Sequence, residues 1–266
     1  MNDDTWLKQS DTPLFPELEW NKPERRDQAG RLLLIGGNTH ALSAPAMAYA
    51  QARASGIGDV KVVLPDKTRA LIDRKTVDAV FLKSTPSGEL AQNNINELLE
   101  YALWANTILL TGDVGRNSQT SILLEDILRS FSDRAVITKD AIESLASATK
   151  VLFERERTTL VVSFSQLQKL LQNYKYQSPL HFTMGIVQLV EFLQDLTANT
   201  RPTIITLHNN QFIVADNGRV VTTKIVDENQ PRTWRLNLAT KVACYQTWNP
   251  DSPLQSAAQA VFDTVH

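Results

Sequence analysis

Residues 30–66 read GRLLLIGGNTHALSAPAMAYAQARASGIGDVKVVLPD. Residues 31–35 form an apolar run of the length and type expected for a strand buried on both faces. Gly36 and Gly37 turn the chain into a polar loop. Pro45 then opens an alanine-rich helix, a position where proline's missing N–H costs nothing. Gly56 and Gly58 end that helix, and residues 60–64 form a second strand. This is one βαβ unit with a loop at the carboxyl end of its first strand. In open α/β sheets, ligands bind at such loops. The stretch therefore sets an α/β fold class and gives the first place to look for a ligand.

The same rhythm continues outward. Strands are predicted at 31–35, 60–64, 78–82, 107–111, 135–138, 159–162 and 203–207. Helices are predicted at 45–55, 68–74, 89–104, 118–131, 140–148, 165–173 and 182–197. This alternation predicts a mostly parallel central sheet with helices on both faces. Residues 211–215 and 219–225 flank Asp216-Asn217-Gly218, a strong signal for a C-terminal β-hairpin. Helices at 234–247 and 253–264 follow. Residues 1–29, broken by Pro13, Pro16 and Pro23, read as an irregular lead-in. No linker is evident, so 1–266 is expected to form one domain.

Composition narrows the function. The chain has 27 basic and 29 acidic residues, a formal charge of −2. No basic excess points to nucleic acid. The polar, acidic start is unlike a secretory signal. No apolar run has the length of a membrane span. The one cysteine, Cys244, cannot form an internal disulfide. A reduced, cytoplasmic setting is the expectation.

Four segments could carry chemistry. At Gly36-Gly37 the missing side chains let backbone N–H groups approach a phosphate, with the positive end of the next helix nearby. On the dipeptide alone, a tight strand-to-helix connection with no ligand is the favoured reading. Residues 111–116, TGDVGR, place two glycines and Arg116 at a strand's carboxyl end. Arg116 could hold a phosphate in a bidentate pair, or be an ordinary surface arginine. After the strand at 135–138, Lys139 could meet an anion. Asp140 could bind a hydroxyl or act as an N-cap. In residues 233–237, TWRLN, Arg235 could face an anion and Asn237 could cap a helix beginning near 238. His40, His181, His208 and His266 lack metal-binding spacing, and His40 is singled out by its place in the first glycine loop. A Walker A sequence, a dinucleotide fingerprint and a nucleophile elbow are all absent from the sequence.

Taken together, these segments resemble the ADP/ATP-dependent NAD(P)H-hydrate dehydratases, carbohydrate kinase-like members of the ribokinase-like superfamily. The resemblance covers roughly residues 25–264. The family's G-R-V-L-V-I-G-G reads GRLLLIGG at 30–37, its G-A-P reads Ser43-Ala44-Pro45, and its G-A-G-L-V reads GIGDV at 56–60. The resemblance implies a nine-stranded ribokinase-like sheet and a homo-oligomer. It also implies a nucleotide site for ATP or ADP, with magnesium as companion, beside a site for hydrated NADH or NADPH. Family members phosphorylate the hydrate's hydroxyl and then eliminate phosphate. By this resemblance the substrate side falls on Gly36, Gly37, Asn38, His40, Ala44, Pro45 and Asp140. The nucleotide side falls on Gly115, Arg116, Arg235 and Asn237.

Several family motifs are altered. G-P-G-L-G-R becomes TGDVGR, with Asp113 at a position where a phosphate-facing glycine is expected. D-A-D-A-L becomes TKDAI at 138–142 and T-P-H-x-x-E becomes VSFSQL at 162–167. L-K-G becomes LHN at 207–209, and G-G-T-G-D becomes TWRLN at 233–237. Asn237 stands at the general-base position, and a neutral amide cannot take the proton. Losing a general base costs on the order of 10²–10⁴ in rate. The reading is a nucleotide- or dinucleotide-binding relative with impaired catalysis. One alternative is an active dehydratase or small-molecule kinase rebuilt around Arg235, Lys139, His208 or Asp113. The other is a structural homo-oligomer without a ligand.

Overall fold

A computed structural model describes residues 5–73, 75–225 and 234–266. Strand β1 (Trp6–Gln9), helix α1 (Glu17–Trp20) and a 3₁₀ turn (Arg26–Gln28) precede β2 (Arg31–Gly36). Helix α2 (Ser43–Ser55) leads to β3 (Asp59–Pro65), a 3₁₀ segment (Asp66–Leu71) and β4 (Ala79–Leu82). Next come α3 (Ile95–Trp104), β5 (Thr107–Gly112), α4 (Ser118–Ser130) and β6 (Arg134–Thr138). Two short helices, α5 (Asp140–Ser144) and α6 (Thr149–Glu154), reach β7 (Thr158–Val161). Then follow α7 (Phe164–Tyr174), α8 (Ile186–Asn199), β8 (Thr203–His208), β9 (Gln211–Asp216) and β10 (Arg219–Lys224). Helices α9 (Trp234–Trp248) and α10 (Pro253–Val265) complete the described chain.

All ten strands form one sheet, in the order β1-β10-β9-β8-β7-β6-β5-β2-β3-β4. Seven consecutive neighbours, from β8 to β4, pair in parallel. Strand β9 runs against β8 and β10, and β1 pairs in parallel with β10. Helices α2, α9 and α10 share one apolar cluster with one face of the sheet. Helices α3, α4, α7 and α8 share the other. Coverage of both faces explains why β2 and β5 are apolar almost end to end.

Local chemistry sets the helices. In α2, Ala44, Ala48 and Ala52 recur at four-residue steps and are fully buried, so the helix lies close on the sheet. Gly56 ends it at φ +95°, its N–H reaching the carbonyls of Ala52 and Arg53. Helix α4 starts at Asn117, whose side chain accepts from the Gln119 N–H. Helix α7 starts with a reciprocal capping box between Ser163 and Gln166.

The structure corrects several sequence expectations. The lead-in is not wholly irregular, because β1 adds an edge strand. With it the sheet has ten strands rather than nine. The expected helix at 68–74 is a 3₁₀ segment, and Arg74 lies outside the described residues. The helix at 89–104 is shorter, with Gln92–Asn94 in a 3₁₀ turn before α3. The helix at 140–148 ends at Ser144, and α6 was not anticipated. Helix α2 begins at Ser43, two residues before Pro45.

Gly58 gives a test of the close packing at the start of β3. A Cβ there would lie 2.2 Å from the Arg26 carbonyl oxygen and 2.8 Å from that of Gly30. Both obstacles are backbone, so they cannot swing aside. Gly58→Ala is expected to destabilise the chain by about 1–3 kcal/mol, read from urea unfolding midpoints. An unchanged midpoint would show that this contact does not constrain the fold.

Candidate functional site

Because β2, β5, β6, β7 and β8 run in parallel, their carboxyl ends deliver successive loops to one edge of the sheet. Most of the sequence candidates meet there. Gly37 turns at φ +80° and donates its N–H to the Gly112 carbonyl at 3.1 Å. A Cβ on Gly37 would press on Leu42, Leu64 and Pro45, so the glycine is also required for packing. Asn38 is buried, accepts from the N–H groups of His40 and Ala41, and donates to the Asp113 carbonyl at 2.7 Å. The His40 side chain is exposed.

The loop after β5 is the structural centre of this edge. Gly112, Asp113 and Gly115 all take positive φ, at +97°, +56° and +80°. That geometry turns the Asp113 side chain back over the first loop. Its carboxylate accepts from the Ala44 N–H at 2.7 Å, the Ser43 hydroxyl at 3.0 Å and the Lys139 ammonium at 3.1 Å. The amino end of a helix is a ready seat for an anion. Here the seat at α2 holds the chain's own carboxylate.

A second carboxylate repeats the arrangement. Asp140 accepts from the Asp113 N–H at 2.6 Å and from the Val114 N–H at 3.0 Å. The expectation that Asp140 caps its helix is corrected: Lys139 occupies the cap position and Asp140 is the first residue of α5. Its carboxylate turns to the neighbouring loop instead.

Arg235 and Asn237 lie inside α9, whose described part starts at Trp234, so Asn237 does not cap a helix beginning near 238. Thr233 lies outside the described residues. Arg235 does not stand alone at a helix end. Its guanidinium donates to the Gln166 side-chain oxygen at 2.6 Å. Gln166 in turn donates to the Lys139 carbonyl at 2.8 Å and to Glu143 at 2.6 Å. Sequence reasoning missed Gln166; the signal was its place three residues after Ser163, a capping spacing. His208 is buried, stacks on Phe164 with centroids 4.6 Å apart, and contacts the Met184 carbonyl at 3.2 Å. Trp234 packs edge-on against Phe212.

A cavity of about 670 Å³ opens on this edge, between Gly115, Arg116, Ser121, Asp140, Glu143 and Lys169. That is within the usual range for small-molecule sites, about 300–1,000 Å³. Among the described residues, neither Arg116 nor Lys169 has a hydrogen-bond or ion-pair partner through its side chain, and both are exposed. Lys169 was not anticipated; it lies three residues after Gln166, on the same side of α7. The cavity can attract an anion through these two cations. The nearby carboxylate of Asp140 is committed to backbone N–H groups. No group of three or more potential metal-binding side chains occurs among the described residues.

The fold is ribokinase-like. A ribokinase-like superfamily protein from Enterococcus faecalis aligns over 100% of this chain and 88% of its own, with TM-score 0.75 at 17% identity. Within that class the chain is similar to the ADP/ATP-dependent NAD(P)H-hydrate dehydratases. The Bacillus subtilis enzyme of that name, co-crystallised with ATP and Mg²⁺, aligns over 95% of this chain and 87% of its own, with TM-score 0.64 at 14% identity. A bifunctional NAD(P)H-hydrate repair enzyme from Moorella thermoacetica is 28% identical over 125 residues. That match covers 46% of this chain and 24% of the relative. No sequence-family profile matches the chain.

Asp113 titration tests the internal anion. Burial pushes its carboxyl upward, but the Ala44 N–H, the Lys139 charge and the Ser43 hydroxyl outweigh burial and hold it below its ordinary 3.8. A lowered folded-state pKa stabilises the protein above the unfolded value, and the benefit is lost as pH falls through the folded one. Asp113→Asn keeps a residue that tolerates positive φ and removes only the charge. The variant is expected to be less stable than the parent at pH 7. The gap should close below about pH 4 in urea titrations. A gap that is constant with pH would show that the charge is not what holds this loop.

Proposed function

We propose that this chain binds a nucleotide or dinucleotide at the carboxyl edge and turns over NAD(P)H hydrates poorly or not at all. The observation that carries the reading is the pairing of an open cavity, bordered by two exposed cations, with loop donors already occupied. Among the described residues Arg116 and Lys169 have no side-chain partner, and they offer positive charge to a phosphate-bearing ligand. The Ala44, Asp113 and Val114 N–H groups are meanwhile held by Asp113 and Asp140. Phosphoryl transfer depends on preorganised donors aimed at the developing charge, and a lost donor costs about 10²–10³ in rate. Asn237, at the family's general-base position, adds a second deficit because its amide cannot accept the proton. ATP or ADP with magnesium, or an NAD(P)H-related dinucleotide, fits this chemistry. The family resemblance also supports a cytoplasmic homo-oligomer, which light scattering after size exclusion would check.

Binding and turnover are tested separately. Thermal-shift measurements against ATP, ADP, AMP, NAD(H) and NADP(H) should find one that stabilises the chain. A ligand at 100 times its Kd should raise Tm by roughly 5–10 °C. Arg116→Ala combined with Lys169→Ala should remove most of that shift. No shift with any of the five would favour a structural role. NADH-hydrate turnover with ATP or ADP is expected at least about 10²-fold below an intact dehydratase. Turnover near that of the intact enzyme would mean that other residues have rebuilt the site.

A further inference from the structure

We propose that the opposite, amino edge of the sheet carries a second binding site, for a small oxyanion. A cavity of about 110 Å³ lies where β6, β7 and β8 begin and β9 ends. Its lining is mostly apolar and includes Pro250 and Pro253, with buried polar side chains behind it. Thr159 and Gln246 are hydrogen-bonded side chain to side chain at 2.8 Å, and the Thr203 hydroxyl donates to Asp216 at 2.6 Å. Its rim holds three arginines, Arg134, Arg157 and Arg201.

The charges on that rim do not cancel. Arg134 and Arg157 share one carboxylate, Asp133, at 2.9 Å and 3.5 Å. Among the described residues, the Arg201 guanidinium has no hydrogen-bond or ion-pair partner, and the residue is exposed. Asp216 also faces the cavity. Burial pushes its carboxyl upward, against the opposing pull of Thr203 and Arg219, and Thr203 already donates to it.

The arginine rim is held in place. Arg155 gathers the carbonyls of Leu128, Phe131 and Glu156, that of Asp133, and the Thr158 hydroxyl. It thereby fixes the two loops that carry Arg134 and Arg157. Burial lowers the Arg155 guanidinium to about 10, so it remains charged at neutral pH. Arg157 itself sits at φ +53°, a conformation that long L side chains seldom adopt. Strained backbone of this kind persists where the surroundings enforce it, often at ligand contacts.

Size and chemistry select the ligand class. The volume corresponds to roughly three or four waters. Nucleotides do not fit, while a phosphate or carboxylate head group does. The guanidinium fork matches the geometry of either. The site is distinct from the carboxyl-edge cavity. Strand β6 separates Arg134 from Thr138 by roughly 13 Å, and α9 separates Gln246 from Arg235 by roughly 16 Å.

The test is a heteronuclear NMR titration of the full chain at constant ionic strength, with inorganic phosphate in one arm and acetate in the other. Saturable shifts at the Thr158, Thr203 and Gln246 amides are expected with at least one of them. The arm that saturates tells phosphate from carboxylate. Arg201→Ala, at an exposed position, should weaken that binding about tenfold. Lys169→Ala, at the other edge, should leave these shifts unchanged. The proposal is overturned if neither anion gives saturable shifts there, if Arg201→Ala binds like the parent, or if the shifts vanish with Lys169→Ala. Failure of nucleotide binding at the carboxyl edge would leave this result intact.

Discussion

Two carboxylates hold the carboxyl edge of the sheet from within. A parallel sheet ends each strand in a loop above a helix amino terminus, where N–H groups point outward without intrahelical partners. Buried backbone donors must be satisfied, because leaving one unpaired costs free energy comparable to a lost hydrogen bond. Asp140 satisfies Asp113 and Val114, and Asp113 satisfies Ala44. Lys139, one residue before Asp140, closes the circuit by pairing with Asp113 at 3.1 Å. The loops after β2, β5 and β6 are thus tied to one another, and the open cavity beside them takes its shape from that tie.

This arrangement explains why an aspartate at position 113 matters more than its size suggests. A glycine there would leave the Ala44 N–H and the Lys139 ammonium facing an empty seat, available to a ligand phosphate. The aspartate brings its own negative charge to the same seat. It also requires a left-handed backbone, φ +56°, which aspartate tolerates better than most residues. Two effects compete on its carboxyl, burial against charge and hydrogen bonding, and the latter wins. An external phosphate would therefore have to displace a carboxylate that is already well paired. Among the described residues, the side chains of Arg116 and Lys169 at the wider cavity have no such partner to displace.

The fold was legible wherever strands are buried on both faces. Residues 31–35, 60–64 and 107–111 are near-continuous apolar runs because helices cover both sides, and the Asn217-Gly218 turn marks its hairpin directly. Strand β1 was hidden because its four residues, WLKQ, alternate weakly and sit among polar and proline-rich neighbours. Its place comes from pairing with β10, more than 200 positions later. The site was legible in outline. Glycines mark the loops, since only close approach or positive φ explains them at strand ends. The side-chain directions were not legible. Asp113 reaches Ala44 across 69 positions, and Asp140 reaches back 27 to Asp113. Local spacing made Asp140 a helix cap, whereas tertiary proximity made it a clamp on the next loop.

Gln166 shows how a scaffold role and a site role merge in one side chain. A glutamine amide has one carbonyl oxygen and two N–H donors. Here the oxygen accepts from the Ser163 N–H and from Arg235, while the nitrogen donates to the Lys139 carbonyl and to Glu143. That uses its full capacity. Among the described residues, the partner of Arg235 is a neutral amide, and the carboxylate of Glu143 stands one hydrogen bond further away. An arginine held by an amide is oriented without being neutralised by that contact. Core positions in such a fold accept many apolar replacements at similar volume. A fully paired polar side chain such as Gln166 accepts fewer replacements, because each change leaves partners unsatisfied, while the ribokinase-like fold itself persists at 14–17% identity.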